Sequence, residues 1–455
     1  MAVTDGTNVR VLPLDPANDS ITSLPSLLYI TSEGESIVGR DAANAFIARN
    51  VDREILLKQV DLGISIEAYV ASEPDKGDGY RPGVTDPSVR EAVRAHAMVE
   101  VNSPGRLFQS LKTLLRHETF KGTEVFGTMY QIEELVAMIL RPIKEAVDKE
   151  AGYPVERAVF GRPVRFSERE GENEVAEHRL RVAAGLAGFK EVVFFYEPVG
   201  ACVEYAMASN SQQRLMVVDI GGGTCDVCIM EFGGSSGSAR LADSRILSVA
   251  GVPVAGDAID REIIRSKLFP VFGSKARYGP SQLPMPQYLY NQILDWQNLY
   301  KLNTEETINW LIAAESSSTQ PEALKALRCL IQRNFGYPVA REVEAAKKRL
   351  SSVHETEILV EKEAIQIHER LERGEFAHII VDNLELMLKS IEEAESLAGV
   401  KPHEIDLVLT TGGTSLIPAI RQMLEGRYGA ERLKQRETFT SVATGLAIVA
   451  QHALP

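Results

Sequence analysis

Residues 217–230, VVDIGGGTCDVCIM, place a carboxylate, three glycines and a hydroxyl between two β-prone runs. Without Cβ atoms, Gly221, Gly222 and Gly223 can let backbone N–H groups close on phosphate oxygens. Thr224 could donate its hydroxyl to a terminal phosphate, and Asp219, ending a buried-type strand, could hold a hydrated Mg²⁺. A glycine hairpin with a solvated aspartate fits the same residues. A second stretch, 406–420 (DLVLTTGGTSLIPAI), carries Gly412, Gly413, Thr414 and Ser415 from a strand to a helix opened by Pro418. There a flat ring or a phosphate can approach the backbone at a helix N-terminus, although an ordinary strand-to-helix turn reads the same way. In the third, 194–206 (FFYEPVGACVEYA), Pro198 pins Glu197 where a strand becomes a helix. That placement suits a base or a water-orienting group. It equally suits a glutamate beside a helix dipole.

Other chemistry finds less support. Cys225-x-x-Cys228 has redox spacing, but residues three apart in an alternating strand face opposite ways, and no second cysteine pair accompanies it. The eight histidines show no HExxH pattern. GxxxxGK[ST] is missing, which leaves a P-loop unsupported.

Elements able to position these residues can be read along the chain. Strands are expected at Val9–Leu14, Leu27–Ile30, Arg157–Phe160, Val192–Tyr196 and Ile405–Thr410, and on both sides of the triple glycine. Helices are expected over 129–149, with a kink at Pro142, over Glu174–Leu186 ending at Gly188, over Val199–Ala208, and over Ile380–Leu397 stopped by Gly399. Ser72–Ser88 and Gly233–Ser238 read as loops, and Asp260–Arg349 as mostly helical. Strand–turn–strand units followed by helices predict an α/β protein with ligand loops at strand ends.

The totals set the frame. A chain of 455 residues is long enough for two or more domains. Its apolar share of 44% and charged share of 25% are those of a soluble globular protein. No signal peptide or spanning run is evident. Four cysteines suit a reducing cytoplasm. The net charge of −14 argues against nucleic-acid or anionic-membrane binding while permitting a local site for a small anion.

Taken together and in this order, the motifs carry a resemblance. The chain resembles the nucleotide-binding domain of the DnaK-type 70-kDa heat-shock chaperones, within the actin/hexokinase superfamily. DGTNVRVLPL, SLPSLLYI, GESIVGRDAA and AVFGRPVRF are similar to its strands, YEPVGACVEYA to its inter-lobe connection, DIGGGTCDV to its second phosphate loop, and TTGGTSLIP to its adenosine motif. The Gly-Arg-Pro-Val run is similar to a short bacterial subgroup, the YegD-like putative chaperones.

The resemblance implies an actin-like, ribonuclease H-like fold with two lobes around a nucleotide cleft. Lobe I would span 1–208 plus 436–455, and lobe II 209–435, with a helical subdomain at about 260–349. It also implies roles. Glu197 would orient the attacking water, Asp219 would hold the waters of Mg²⁺, Thr224 would meet the terminal phosphate, and Lys112 in FQSLKTLL would be the phosphate lysine. Glu344, Lys347, Lys348 and Ser351 would clamp adenine and ribose. Lys348 stands where the family typically has arginine, so a planar stacking surface is lost. Gly256 and Asp257 would close on the phosphates, and Gly412, Gly413, Thr414 and Ser415 would face the adenosine. ATP, ADP and Mg²⁺ are the implied ligands. Unidentified protein clients or co-chaperones are the implied partners, with no nucleic acid and no membrane, in the cytoplasm.

The expected activity is ATP hydrolysis with Mg²⁺ by a chaperone-type ATPase domain in its full-length form. An actin-like filament protein, or a nucleotide-sensing scaffold without turnover, is the alternative, and a sugar kinase finds no motif. Asp5-Gly6-Thr7-Asn8 looks superficially like the family's first Asp-x-Gly-Thr phosphate turn, but no residue separates its aspartate from its glycine. Asp-Gly is a hairpin signal, so the stretch is read as a later hairpin tip. Met1 is then expected to be a late start, with about 15–20 residues missing, and weak ATP binding with little turnover is expected to follow. The chain ends where the family's ATPase part ends, so client binding is unsupported.

Overall fold

A computed structural model describes residues 1–71, 85–169, 171–207, 209, 211–233, 243–436 and 440–453, with the side chains of 57, 59, 61–99 and 452–453 excepted. The chain begins with a hairpin, β1 (Ala2–Thr4) and β2 (Val9–Val11). Its tip is Asp5–Asn8, as the Asp-Gly signal predicted: Asp5 Oδ1 accepts the N–H groups of Thr7 and Asn8 at 2.9 and 2.8 Å, and Gly6 takes φ +91°. β2 stops at Val11, short of the expected Leu14, because the Leu14 N–H turns away to the carbonyl of Ile21.

β3 (Leu27–Thr31) is flanked by β4 (Ser36–Val38) and β7 (Gly105–Gln109) in a three-stranded sheet. A long ribbon, β5 (Leu57–Ala71) with β6 (Thr85–Glu100), interrupts it. Most of the expected loop Ser72–Ser88 lies outside the described residues, and Thr85–Ser88 belong to β6 instead. β8 (Gly122–Val125) and β9 (Thr128–Gln131) form another hairpin, so Met129–Gln131 are strand where helix was expected. The helix starts at Ile132 because a capping box fixes it there: the Glu134 carboxylate accepts the Gln131 N–H at 2.7 Å. It runs through Pro142 to Ala151. Pro142 is part-exposed, which leaves water able to satisfy the carbonyl that proline cannot bond.

β10 (Arg157–Arg162) pairs in parallel with β11 (Glu191–Tyr196) through the helix Glu172–Ala187, which Gly188 ends in the left-handed conformation at φ +108°. The chain then enters the helix Glu197–Met207 and the largest sheet. That sheet has five strands in the order β14 (Arg245–Val252), β13 (Cys225–Phe232), β12 (Gln213–Ile220), β19 (Leu407–Thr411), β20 (Leu433–Gln435). Most of the glycine-rich loop expected at Gly233–Ser238 lies outside the described residues. Between β14 and β19 come helices, a short pair β15 (Arg277–Tyr278) and β16 (Leu283–Pro284), and a hairpin β17 (Glu355–Lys362) and β18 (Ile365–Glu372) that its apolar alternation could have revealed. The region 260–349 is mostly helical, as expected.

Strand alternation splits the core around this sheet. Met216, Val218, Ile220, Cys225, Val227 and Ile229 face one large apolar cluster, reaching the helices of 259–350 and Val381–Ala398. Leu215, Val217, Cys228, Met230 and Leu409 face the other side, under the helices Glu197–Met207 and Ser441–Ala453. Cys225 and Cys228 thus lie on opposite faces, and both are free thiols. The two covering helices touch backbone to backbone at Gly200 and Gly445, where a Cβ on Gly445 would sit 1.7 Å from the Gly200 carbonyl oxygen. That close approach fixes the helix that begins at Glu197. No helix among the described residues is long and apolar enough to cross a membrane.

Candidate active site

The loops that end the strands of the large sheet converge. Glycine lets them: a Cβ on Gly412, whose φ is +80°, would lie 2.2 Å from the Ile220 carbonyl oxygen and 2.9 Å from Asp219 Oδ1. The Gly256 N–H donates to the Gly221 carbonyl at 3.2 Å, and the Asp257 N–H to that of Gly222 at 2.7 Å. The Thr414 hydroxyl donates to the Gly221 carbonyl at 2.7 Å. The triple-glycine turn, the Gly256–Asp257 turn and the Gly412–Ser415 turn are therefore one assembly, with Gly222 and Gly413 exposed and Thr414 and Ser415 buried.

Charge gathers beside it. Lys112 sits in a 3-10 turn, Leu111–Leu114, and its Nζ donates to Glu197 Oε1 at 2.7 Å. Gly161 of β10 gives Glu197 room, since a Cβ there would press on the glutamate Cγ at 2.9 Å. Burial works to lower the Lys112 pKa, but the carboxylates of Glu197, Asp226 and Asp219 outweigh it and hold the ammonium above its usual range. Asp219 is pushed up to about 8, first by loss of water and then by Glu197 and Asp226. Asp226 is pushed up to about 7 by burial and by Glu197, against bonds from Thr224 and from the Val164 N–H, the latter at 2.7 Å. Glu197, Asp219 and Gly412 thus border one place, although they come from distant parts of the chain.

Sequence reading passed over Asp226. A charged residue inside an otherwise apolar, wholly buried stretch of β13 was the available signal. Asp260 was also missed. It accepts the Lys347 ammonium at 2.7 Å, and burial lifts its pKa to about 6. Lys347 itself is 9% exposed at its side chain and donates also to the Gly256 carbonyl at 3.1 Å, so it braces the Gly256–Asp257 turn from behind. Glu344 and Lys348 pair with each other on the same helix, Gly336–Arg349, at 2.6 Å, and Ser351 follows that helix.

The donor set bears on what the place can hold. Among the described residues no cluster of three or more His, Cys, Asp or Glu could cage a metal alone. Two carboxylates that resist ionisation, Asp219 and Asp226, stand next to glycine turns without side chains. Mg²⁺ is commonly bound that way, through one or two carboxylates plus phosphates and water.

The family model described as Hsp70 protein matches residues 108–241 and 333–454, which include Lys112, Glu197, the triple glycine and Gly412–Ser415. The chain belongs to the Hsp70 family. Family membership carries the actin-like ATPase fold, and the Hsp70-family resemblance read from the motifs is thereby established. Among curated relatives, this Hsp70-family chain is 27% identical over 335 residues to the chaperone protein DnaK of Thermus thermophilus, an alignment covering 72% of this chain and 44% of that protein. It is 25% identical over 445 residues to the chaperone protein DnaK 1 of a Synechococcus species, covering 96% of this chain and 47% of the relative. For the chaperone protein DnaK of Thermosipho melanesiensis the figures are 25% over 409 residues, 86% and 58%. The chain spans about half the length of these relatives.

Proposed function

We propose that this chain is an ATP-binding ATPase domain of an Hsp70-type chaperone, which in its full-length form hydrolyses ATP to ADP with Mg²⁺. The observation that carries it is the Lys112–Glu197 pair facing Asp219 and Asp226 where three glycine-bearing turns meet. Mg²⁺, bound with the phosphates, would supply charge neutralisation. The chain's own residues do the rest. The Gly221 N–H closes the turn on the Thr224 carbonyl at 3.0 Å, the N–H groups of Gly222 and Gly223 and the Thr224 hydroxyl cradle phosphate oxygens, and Lys112 offsets the phosphate charge. Glu197, held in place by Lys112, orients the attacking water and can accept its proton. Asp219 and Asp226 hold the cation side. Gly256 and Asp257 close over the phosphates. Glu344, Lys347, Lys348 and Ser351 border adenine and ribose together with Gly412, Gly413, Thr414 and Ser415, with Lys347 acting through its grip on the Gly256 turn.

Two lobes bound the cleft in this reading: 1–208 with 436–455, and 209–435 with its helical part at about 260–349. Consistent with it, the helix Ser441–Ala453 packs on the helix Glu197–Met207 and against β1, β2 and β10. Client and co-chaperone binding, and a cytoplasmic setting, belong to the same proposal.

Calorimetry with ADP and ATP, with and without Mg²⁺, tests binding, and phosphate release tests turnover. Glu197→Gln should keep nucleotide affinity within about threefold and lower turnover by roughly 10²-fold. If neither nucleotide binds, the proposal fails. Tight binding without any phosphate release favours the nucleotide-sensing scaffold, and nucleotide-dependent sedimentation the filament.

A further inference from the structure

One short run, Gly161–Arg165, touches three parts of the molecule. Gly161 abuts Glu197. The Val164 N–H bonds to Asp226 Oδ1 at 2.7 Å, with Val164 9% and Asp226 1% exposed. Arg165 then grips Glu393 in a two-pronged pair, Nη1 to Oε2 at 3.2 Å and Nη2 to Oε1 at 2.5 Å. Across 228 positions of sequence, this pair joins the segment after β10 to the helix Val381–Ala398.

That helix is a firm mount. Its Glu395, 5% exposed at the side chain, binds Arg427 and the Tyr428 hydroxyl, and Glu392 binds Arg427 at 3.1 Å. The Ser248 hydroxyl ties the helix backbone to β14 through the Ala394 carbonyl at 2.7 Å. Space at the contact is reserved by Gly251, where a Cβ would fall 2.7 Å from Asp226 Oδ1 and 3.2 Å from the Val164 Cβ. Asp226 therefore depends on a donor carried by another segment, and that segment is pinned at its next residue.

We propose that Arg165 and Glu393 are positioning residues for the nucleotide site: their pair keeps the Pro163–Val164 turn seated, so that the Val164 N–H holds Asp226 toward the cation side. This rests on the proposed nucleotide site. The pair is 36% and 38% exposed at its side chains, so its own contribution to stability is small. Its effect runs through the geometry of the turn. An exposed two-pronged pair of this kind contributes up to about 1 kcal/mol, or roughly fivefold in an equilibrium.

The test uses the whole chain and the variants R165A, R165K, E393Q and the exchange R165E/E393R. Hydrogen–deuterium exchange without nucleotide reads the Val164 amide, which is isolated on its N-terminal side because Pro163 has none. Calorimetry reads ATP affinity with and without Mg²⁺. R165A and E393Q should speed exchange at Val164 and weaken the Mg²⁺-dependent affinity up to about fivefold, leaving Mg²⁺-free affinity unchanged. R165K, with one prong, should fall between, and the charge exchange should restore both readouts. If R165A loses thermal stability while Val164 exchange and Mg²⁺-dependent affinity stay at wild-type values, the pair is only a tie and the inference is overturned. The exchange readout needs no ligand. A wild-type chain that binds no ATP would therefore sink the site assignment, while exchange at Val164 unchanged in R165A would sink this one.

Discussion

Replacing Asp219 by asparagine should stabilise the fold and cost it its ligand. The carboxylate is held at a pKa of about 8, where a solvated aspartate has about 3.8. Burial leads the change, and the neighbouring Glu197 and Asp226 add to it. The sign follows from linkage. A folded pKa raised above the unfolded one means that the native state binds the proton more tightly. Stability from this group is fully present below about pH 4 and is lost as pH rises toward 8. A tenfold difference in proton affinity between the two states corresponds to about 1.4 kcal/mol. Asp219 is only part-buried and faces the Lys112 ammonium, so a penalty on the order of 1–3 kcal/mol by pH 8 is the realistic scale. The amide of D219N would keep the shape and remove the charge. Urea unfolding at about pH 5.5 and about pH 8 measures it. The wild type should lose stability across that range, and D219N should lose less, ending the more stable of the two at the upper pH without nucleotide. The same variant should lose Mg²⁺-dependent ATP affinity by roughly tenfold or more. If D219N is less stable than wild type at the upper pH, or if the two pH slopes coincide, the electrostatic account of the site is wrong.

Other outcomes follow from the same geometry. Lys112→Ala should weaken ATP binding by roughly tenfold, since it removes a charge-assisted hydrogen bond worth about 1.5–3 kcal/mol and exposes Glu197 to the aspartates; fluorescent-nucleotide titration reads it. Gly412→Ala meets a carbonyl at 2.2 Å from a positive φ, so it should part the two glycine turns and abolish nucleotide binding while far-UV circular dichroism stays native-like. Gly445→Ala drives a Cβ into the Gly200 carbonyl and should lower stability by about 1–3 kcal/mol in urea unfolding, with lower turnover because the Glu197 helix shifts.

The consecutive residues determined a good deal. The Asp5–Asn8 hairpin tip, the glycine turns at 221–223 and 412–413, the Gly188 and Gly399 helix ends and the strand Val192–Tyr196 are set by backbone demands met within a few residues, so they can be read locally. The helix start at Ile132 was legible in principle too, because its cap is Gln131 with Glu134, but a longer apolar period masked it. Tertiary structure alone decided which charges meet. Lys112 finds Glu197 across 85 positions, and Lys347 finds Asp260 across 87. Asp226 takes its donor from Val164 on another strand's end. Nothing in the local pattern names those partners, because an ion pair or a raised pKa depends on distance and on excluded water, and both are fixed only when separate segments pack.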